Sequence, residues 1–352
     1  MQDEQTVIAR RDGRVGRIVL NRPQALNALD LGMIRACTRA LLAWREDPHV
    51  HAAVIEGAGD RAFCAGGDIR ALRQYTLDGE PHKAETFFRE EYELNLMIAT
   101  YPKPYIALID GICMGGGIGV SVHAPYRVAT EHAAFAMPET AIGFFPDIGA
   151  TFFLPRLPGQ LGTYLGLTGA RMQGADAVHA GLATQFTPRA HLPGLSHALA
   201  ADGPGALGPH AAPLPEFSLA AKRAAIDRCF GSDTMADIVQ RLQALNDDWA
   251  AKTLGTLRSV SPSALCWTLE ALRRGADMTL PQCQAAELAL TRTTMRHPDF
   301  SEGVRAMVVD KDRNPHWRPA DIEAVDAGAI ATLFGSQEPA RRDRVASRRS
   351  PQ

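Results

Sequence analysis

Two glycine-rich turns are the first feature of this sequence that could do chemistry. One contains Gly67, in the run AFCAGGDI, and the other contains Gly116, in the run DGICMGGGIG. Glycines between a strand and a helix let the backbone turn sharply and leave N–H groups free to bind an anionic oxygen. If both turns face one point, they form an oxyanion hole, where each donor contributes about 3 kcal/mol of transition-state stabilisation. From the spacing alone, two tight turns that serve only packing are an equal alternative.

Glu139 and Asp147 form a pair of acids in the run FAMPETAIGFFPD, which is otherwise largely apolar and is turned by glycine and proline. Burial among such neighbours raises the pKa of a carboxyl group and suits it to acid or base catalysis. Either acid alone would be interpreted as a helix cap or a solvated loop residue. Their shared apolar setting favours a functional role only modestly.

Other catalytic and metal-binding patterns fit less well. The glycines at 115–120 lack the last glycine of a dinucleotide fingerprint, and residues 119–123 lack the closing glycine of a nucleophile elbow. The histidines do not fall in metal-ligand order, and the six cysteines contain no CxxC pair, so neither a metal site nor a disulfide framework is expected.

The elements that must position these residues alternate between strands and helices. Val7 and Val19 lie in runs that predict a hairpin around Asp12-Gly13, and Asp30 is a plausible cap for a helix. Further strands are predicted near 52–55 and 105–109, with a long helix near 83–100 between them. This order predicts an α/β core built from repeated units.

The length of 352 residues exceeds the usual limit of about 250 for one domain, so the chain is expected to form one large domain with an appendage, or two domains. Residues 1–200 are the predicted core, and 201–216, rich in glycine and proline, a flexible connector. Residues 217–335 have a helical pattern, and 336–352, with five arginines, are expected to be disordered.

Charge and hydropathy exclude some partners. The net charge is −2, which argues against nucleic-acid binding by bulk electrostatics, and no apolar run is long enough to span a bilayer. The polar, acidic start is unlike a secretory signal or a transit peptide. A cytoplasmic enzyme is therefore expected.

Several motifs of the sequence together indicate a family. The runs NRPQALNAL, AFCAGGDI and KPYIALIDGICMGGG together resemble the crotonase (enoyl-CoA hydratase/isomerase) superfamily. Three longer runs, FFREEYELN, FAMPETAIGFFPDIGATFFLPRL and DFSEGVRAMVVDKDRNPHWRPAD, are similar to its branch that hydrolyses short β-hydroxyacyl-CoA thioesters. The resemblance covers roughly residues 6–326 and implies a crotonase-like spiral of ββα units with an additional helical C-terminal region.

The resemblance also implies roles for individual residues. Gly67 and Gly116 match the backbone donors of the oxyanion hole, and Ala65 matches a position whose backbone meets the CoA adenine. The resemblance implies that Glu139 and Asp147 are catalytic and that Glu91 contacts the substrate. It implies no cofactor beyond the CoA of the substrate, and a role in valine degradation. Whether the chain forms a homo-oligomer is left open.

Gly119 occupies the position at which enoyl-CoA hydratases hold a second catalytic glutamate. Hydration of a double bond calls for two carboxylates, so this absence favours attack on the thioester carbonyl itself. The resemblance implies that the thioester is 3-hydroxyisobutyryl-CoA or another short β-hydroxyacyl-CoA. Glu139 would either attack that carbonyl or activate a water, and the sequence leaves both routes open. Two alternatives remain: isomerase or hydratase chemistry, and a non-catalytic relative that binds acyl-CoA or RNA.

Overall fold

Two sheets form the centre of the protein. The computed structural model describes residues 5–335, and the tail predicted at 336–352 lies outside them. The strands of the described residues are β1 (Val7–Asp12), β2 (Val15–Leu20), β3 (Ala52–Gly57), β4 (Ala62–Cys64), β5 (Tyr105–Ile109), β6 (Ile112–Met114), β7 (Tyr126–Ala129), β8 (Ala134–Ala136), β9 (Met172–Gln173) and β10 (Gln185–Phe186). Six form one sheet in the order β1-β2-β3-β5-β7-β10, and four form a second in the order β4-β6-β8-β9.

The pairing of strands explains the spiral. In the units β3-β4, β5-β6 and β7-β8, the first strand enters the large sheet and the second enters the small one. All neighbours are parallel except the β1–β2 hairpin and the β8–β9 pair. Parallel neighbours require a crossover between units, and helices after β4 and β6 supply it. The predicted α/β spiral of ββα units and the N-terminal hairpin are confirmed.

Helices cover the sheets and make up most of the second half of the chain. In the first half they are α1 (Leu31–Glu46), α2 (Ile69–Leu77), α3 (Pro81–Ala99), α4 (Gly116–Val122), α5 (Ala150–Phe153), α6 (Leu161–Thr168), α7 (Ala175–His179) and α8 (Leu192–Asp202). In the second half they are α9 (Arg223–Phe230), α10 (Met235–Leu245), α11 (Asp248–Ser259), α12 (Pro262–Gly275), α13 (Leu280–Thr294), α14 (Pro298–Val304) and α15 (Ala327–Gly335).

Side-chain caps explain where several of these helices begin. Asp30, predicted as a cap, accepts a hydrogen bond from Met33 N at 2.8 Å at the start of α1. In the C-terminal region Thr234, Asp247 and Ser261 cap α10, α11 and α12 in the same way. Each cap satisfies one backbone N–H that the first turn of a helix leaves without an internal acceptor.

Residues 201–216 contain more structure than a flexible connector would. They hold the 3-10 turns Gly203–Ala206 and Gly208–His210, and Ala206 and Leu207 are buried. These side chains pack with Leu195 and Leu199 of α8 below the large sheet. The division of the chain into a core and a helical region stays a prediction, because one continuous apolar cluster runs through both parts.

The C-terminal helices pack onto the elements that follow the small sheet. Helix α13 contacts α3 and α5, α12 contacts α5, and α14 contacts both α2 and the 3-10 turn Glu139–Ile142. Each of these contacts lies beside a segment that the sequence analysis singled out for chemistry. The helical region therefore supports the candidate site directly.

Candidate active site

The candidate site lies where three neighbouring strands of the small sheet end. Strands β4, β6 and β8 run parallel to one another. The Gly66–Gly67 turn follows β4, the Gly115–Gly116 turn follows β6, and Glu139 follows β8. Parallel strands bring the segments after their carboxyl ends to the same edge of a sheet, which is the usual position of a ligand site in α/β proteins. The topology thus brings three separate motifs together.

The two glycine turns face each other. Gly66 has φ +111° and Gly115 has φ +46°, both in the left-handed region that favours glycine. A Cβ built on Gly116 would lie 3.3 Å from the backbone N of Gly67, so the two predicted donors are close neighbours. Within residues 5–335, neither amide donates a hydrogen bond to a protein group. Gly116 N is free because it opens α4, where no internal acceptor exists.

Close packing explains why the turn before α4 consists of three glycines. A Cβ on Gly117 would lie 2.2 Å from the carbonyl oxygen of Cys64 in β4. A Cβ on Gly116 would lie 2.3 Å from Glu91 Oε1 on α3. The helix start can therefore approach both β4 and α3 only without side chains.

A cavity of about 260 Å³ opens in front of these turns. Ala65, Gly67 and Gly116 line it, as do the three acids that the sequence singled out, Glu91, Glu139 and Asp147. Most of the remaining wall is apolar and includes Phe87, Phe88, Ile142, Phe144, Met307 and Val308. No lysine, arginine or histidine stands among the described residues of the wall. The acids therefore share a space without a neutralising cation.

Glu139 opens the 3-10 turn Glu139–Ile142 and is 7% exposed. Among the described residues its Oε2 has no hydrogen-bond partner, while a Cβ on Gly115 would lie 3.0 Å from its Oε1. Burial raises the pKa of Glu139 well above its usual value, and the charges of Asp147 and Glu91 raise it further. An unpartnered carboxyl beside two free amides is available to a substrate or a water.

Asp147 enters the same cavity from the loop before α5. Its Oδ2 accepts a 2.6 Å hydrogen bond from the hydroxyl of Tyr92 on α3. Burial raises the pKa of Asp147 from 3.8 to about 7, although the Tyr92 hydrogen bond acts in the opposite direction. A carboxyl group with a pKa near neutrality can exchange a proton at little cost.

Glu91 completes the group of acids. It is 2% exposed, and within the described part of the chain its Oε1 has no hydrogen-bond partner. Burial raises its pKa well above the usual value, and the Asp147 charge adds to this. Ala65 lies on the wall of the cavity at half burial, and its N–H donates to Leu26 O at 3.0 Å. All six predicted site residues thus meet at one cavity.

Packing explains why Gly119 carries no side chain. A Cβ at this position would lie 3.0 Å from both Asn95 Nδ2 and Ile148 Cβ. Any side chain at this position would therefore require Asn95 and Ile148 to shift by a few tenths of an ångström. The packing around Gly119 thus disfavours a glutamate there.

Three contributors to the site escaped the sequence analysis. Tyr92 follows Glu91 in the run FFREEYELN, but nothing in the sequence shows that its hydroxyl reaches Asp147. Met307 and Val308 close the cavity from the C-terminal region, more than 150 residues along the chain. Their run DFSEGVRAMVVDKD supported the resemblance, yet its contact with the cavity depends on how α14 packs.

Metal-binding clusters and membrane-spanning helices are both absent from the described part of the chain. Within residues 5–335, no group of three or more histidines, cysteines or acids is arranged to hold a metal ion. Over the same range, no helix combines the length and the apolar character needed to cross a bilayer.

Comparison with known proteins identifies the family. Residues 15–334 match the model of the enoyl-CoA hydratase/isomerase family. The chain belongs to this family, as the resemblance of its motifs implied. Because the match extends through α14 and α15, it includes the helical C-terminal region.

Curated relatives define the branch within the family. The chain is 45% identical over 336 residues to a protein of Xenopus tropicalis named 3-hydroxyisobutyryl-CoA hydrolase, mitochondrial, with 92% of this chain and 87% of the relative covered. It is 42% identical over 345 residues to the human protein of the same name, with 94% and 88% covered. These relatives confirm the resemblance to the hydrolase branch.

Solved structures share the fold. A carnitinyl-CoA dehydratase from Mycobacterium thermoresistibile has a TM-score of 0.90 and 39% identity, with 94% of this chain and 96% of the other covered. An enoyl-CoA hydratase from Rhodobacter sphaeroides has a TM-score of 0.89 and 43% identity, with 95% and 99% covered. The similarity extends over nearly the whole of each chain.

The expected cytoplasmic location is wrong. It rested on the polar, acidic start of the sequence, which is unlike a transit peptide. The relatives from Xenopus tropicalis and from human are both named as mitochondrial proteins, which contradicts that expectation. The composition of a few N-terminal residues is weaker evidence than similarity over more than 90% of the chain.

Proposed function

We propose that this protein hydrolyses the thioester of 3-hydroxyisobutyryl-CoA to 3-hydroxyisobutyrate and CoA. The observation that carries the proposal is one cavity that joins two free backbone N–H groups with Glu139 and Asp147. The names of the curated relatives supply the acyl group. From that chemistry we further propose a role in valine degradation.

The first element of the mechanism is the oxyanion hole. We place the thioester oxygen between the N–H groups of Gly67 and Gly116, which would donate to it as negative charge develops. Preorganised donors need not reorient during the reaction, and removing one typically lowers the rate by about 10²–10³-fold. The apolar wall excludes water and strengthens these hydrogen bonds.

The second element is Glu139, which can act in the hydrolysis by either of two routes. In one, its carboxylate takes a proton from a water whose oxygen attacks the carbonyl carbon, and the tetrahedral intermediate collapses with loss of CoA thiolate. In the other, a carboxylate oxygen attacks the carbon, CoA leaves, and water then hydrolyses the resulting anhydride. Both routes need an ionised Glu139 with a free oxygen, and Oε2 is unpartnered within the described structure.

The third element is Asp147, whose protonated form would donate to the departing sulfur. Its pKa of about 7 suits a group that gives up a proton and regains it in each cycle. Alternatively, it would orient the substrate hydroxyl or the attacking water. The Tyr92 hydroxyl would hold the carboxyl in place for either role.

Hydration of an enoyl-CoA is the competing function, because two structural neighbours carry hydratase or dehydratase titles. In this chain the position that matches a second hydratase glutamate is Gly119, where a Cβ would already lie 3.0 Å from both Asn95 Nδ2 and Ile148 Cβ. Glu139 would then have no such partner on α4. The contact around Gly119 favours hydrolysis.

Thiol release tests the proposal. Purified protein is mixed with 3-hydroxyisobutyryl-CoA, 3-hydroxypropionyl-CoA and a panel of short acyl-CoA thioesters, and free CoA is measured with a thiol reagent. We expect release from the first two substrates and none above background from an enoyl-CoA. Hydration of a crotonyl thioester without thiol release would support the competing function and reject the proposed one.

A single-turnover reaction in heavy-oxygen water tests the anhydride route of Glu139. Only this route can transfer the label into the Glu139 carboxyl group, by attack of water on the Glu139 carbon of the anhydride, and mass spectrometry of its peptide would detect it. A labelled Glu139 establishes the anhydride, whereas a labelled product alone is expected both from the general-base route and from attack of water on the acyl carbon of the anhydride.

The proposed hydrolysis consumes only the substrate and water, and it needs no further cofactor. A homo-oligomer stays a prediction, and light scattering of the purified protein checks it.

A further inference from the structure

The loop that carries Asp147 has an unusual backbone. Ile148 has φ +58° and Gly149 has φ +82°, so two successive residues lie in the left-handed region. A β-branched residue rarely adopts this conformation, and its surroundings must enforce it at a cost of about 1–3 kcal/mol. The bend brings both Asp147 and Ile148 to the cavity wall. Something outside the loop must hold it in this shape.

Glu287 of α13 supplies the strongest restraint. Its Oε2 accepts a 2.7 Å hydrogen bond from Gly149 N. Its Oε1 accepts hydrogen bonds from Thr151 N at 2.9 Å and from Thr151 Oγ1 at 2.6 Å. One side chain thus holds both ends of the three-residue segment 149–151 that follows Ile148, and both of its oxygens are used.

The setting of Glu287 is costly for an acid that serves only packing. It is 1% exposed and forms no ion pair with any side chain of residues 5–335. Burial raises its pKa to about 8, although the hydrogen bonds from the loop oppose this. An apolar side chain at this place in a core would normally be more stable. A carboxyl group differs from an apolar side chain at this place because it accepts hydrogen bonds from the loop.

Two other elements hold the same loop. His123, just after α4, is half-buried, and its Nε2 donates to Ile148 O at 2.8 Å. Tyr92 of α3 donates to Asp147 itself. The left-handed bend is therefore fixed from α3, α4 and α13, but Glu287 alone among these contacts comes from the C-terminal helical region.

We propose that Glu287 is a positioning residue for the hydrolysis: it holds the bend at Ile148 and Gly149 so that the Asp147 carboxyl points into the cavity. This inference rests on the proposed function, because it assigns to Asp147 a part in the reaction. It also gives the C-terminal helices a role in the chemistry beyond covering the core. Glu287 itself does not line the cavity wall and touches no reacting atom.

The variant Glu287→Gln tests the proposal. Glutamine keeps the size but offers one acceptor oxygen, and its NH₂ group would face one of the backbone donors. We expect kcat to fall about 10–100-fold with KM changed less than about threefold, because small displacements of a reacting group cost rate far more than binding. Thr151→Val removes one of the three hydrogen bonds and should lower kcat by a smaller factor.

Gln284→Met is the matched control, since Gln284 is buried one turn earlier on α13. Its Nε2 has no partner within the described residues, and it makes no hydrogen bond to the Asp147 loop. The kcat of the Gln284→Met variant should stay within about twofold of the wild-type value. A comparable fall in this variant would mean that any change in α13 damages the enzyme, and the positioning role would be rejected.

Hydrogen exchange gives a readout that does not depend on activity. In Glu287→Gln the amides of Gly149 and Thr151 should exchange faster than in the wild type, whereas those of β5 should not change. If Glu287→Gln does not fold, the same comparison is made with Thr151→Val. Unchanged exchange at both amides, or a wild-type kcat in Glu287→Gln, would overturn the proposal. Absence of thiol release by the wild type would instead reject the proposed function, with the exchange result still standing.

Discussion

Asp147→Asn is expected to make the protein both inactive and more stable. The substitution keeps the size of the side chain and removes its charge. In the native structure that charge lies 5% exposed in a cavity beside two other acids, Glu91 and Glu139, with no cation on the described part of the wall. Within residues 5–335, the one side-chain hydrogen-bond partner of Asp147 is the Tyr92 hydroxyl. Folding therefore forces ionised Asp147 into an unfavourable place.

The pKa of Asp147 sets the size of the effect. Folding raises it from 3.8 to about 7. Each tenfold change in an ionisation constant corresponds to about 1.4 kcal/mol, so ionised Asp147 lowers the free energy of unfolding by at most about 4 kcal/mol above pH 7. An asparagine amide that lacks partners costs about 1–3 kcal/mol. The net gain for Asp147→Asn is therefore about 1–3 kcal/mol.

The pH dependence follows from the sign of the shift. Because the folded pKa is the higher one, between pH 3.8 and about 7 the folded protein binds a proton that the unfolded chain has lost. The contribution of Asp147 to stability therefore falls as the pH rises through this range. We expect the advantage of Asp147→Asn to be close to zero at pH 5 and fully developed at pH 7.5.

Thermal unfolding of both proteins at pH 5.0 and 7.5 measures this difference. With an unfolding entropy of about 2.1 cal/mol/K per residue over 352 residues, a gain of 1–3 kcal/mol raises Tm by about 1.5–4 °C. Thiol release should fall by about 10²-fold or more in the same variant, because the proposed catalytic carboxyl group is lost. A variant that is less stable than the wild type at pH 7.5, or that keeps most of its activity, would refute this reasoning.

Three further variants probe the rest of the site. Glu139→Gln removes the proposed base or nucleophile, and kcat should fall about 10³-fold or more with the substrate still bound in a dialysis assay; turnover near the wild-type rate would contradict its role. Gly116→Ala places a Cβ 2.3 Å from Glu91 Oε1 and should lower kcat/KM by about 10²-fold or more, whereas Gly255→Ala, which meets nothing within 4 Å, should leave it unchanged. Because the Asp147 charge raises the pKa of Glu139, the residual activity of Asp147→Asn should keep its rate down to lower pH than the wild type does, which a pH profile of kcat/KM would check.

Much of the fold could be predicted because its signals are local. Asp30 begins a helix because its side chain accepts a hydrogen bond from the N–H of Met33, three residues along. A helix cap of this kind can be predicted from the sequence. The glycine turns were visible for the same reason, since glycine permits the positive φ of Gly66 and Gly115. That the two turns meet depends on the pairing of β4 with β6, which only the topology reveals.

The contacts between distant segments could not be predicted. Glu287 and Gly149 are 138 residues apart, and no local pattern distinguishes this glutamate from the exposed acids of other helices. The same holds for Val308, which reaches the cavity because α14 packs on α2. The left-handed Ile148 was also unexpected, because the tertiary contacts of its loop override the preference of a β-branched residue.

The most direct test of the oxyanion hole is the infrared spectrum of a bound thioester. The substrate, labelled with carbon-13 at the thioester carbonyl, is mixed rapidly with Asp147→Asn, in which turnover is slowed, and its C=O stretch is recorded before hydrolysis and compared with that in water. Two N–H donors from Gly67 and Gly116 should polarise the bond and move the band to lower frequency, and Gly116→Ala in the same background should reverse much of that shift. A band at the solution frequency, or one that Gly116→Ala leaves in place, would show that these amides do not hold the reacting oxygen.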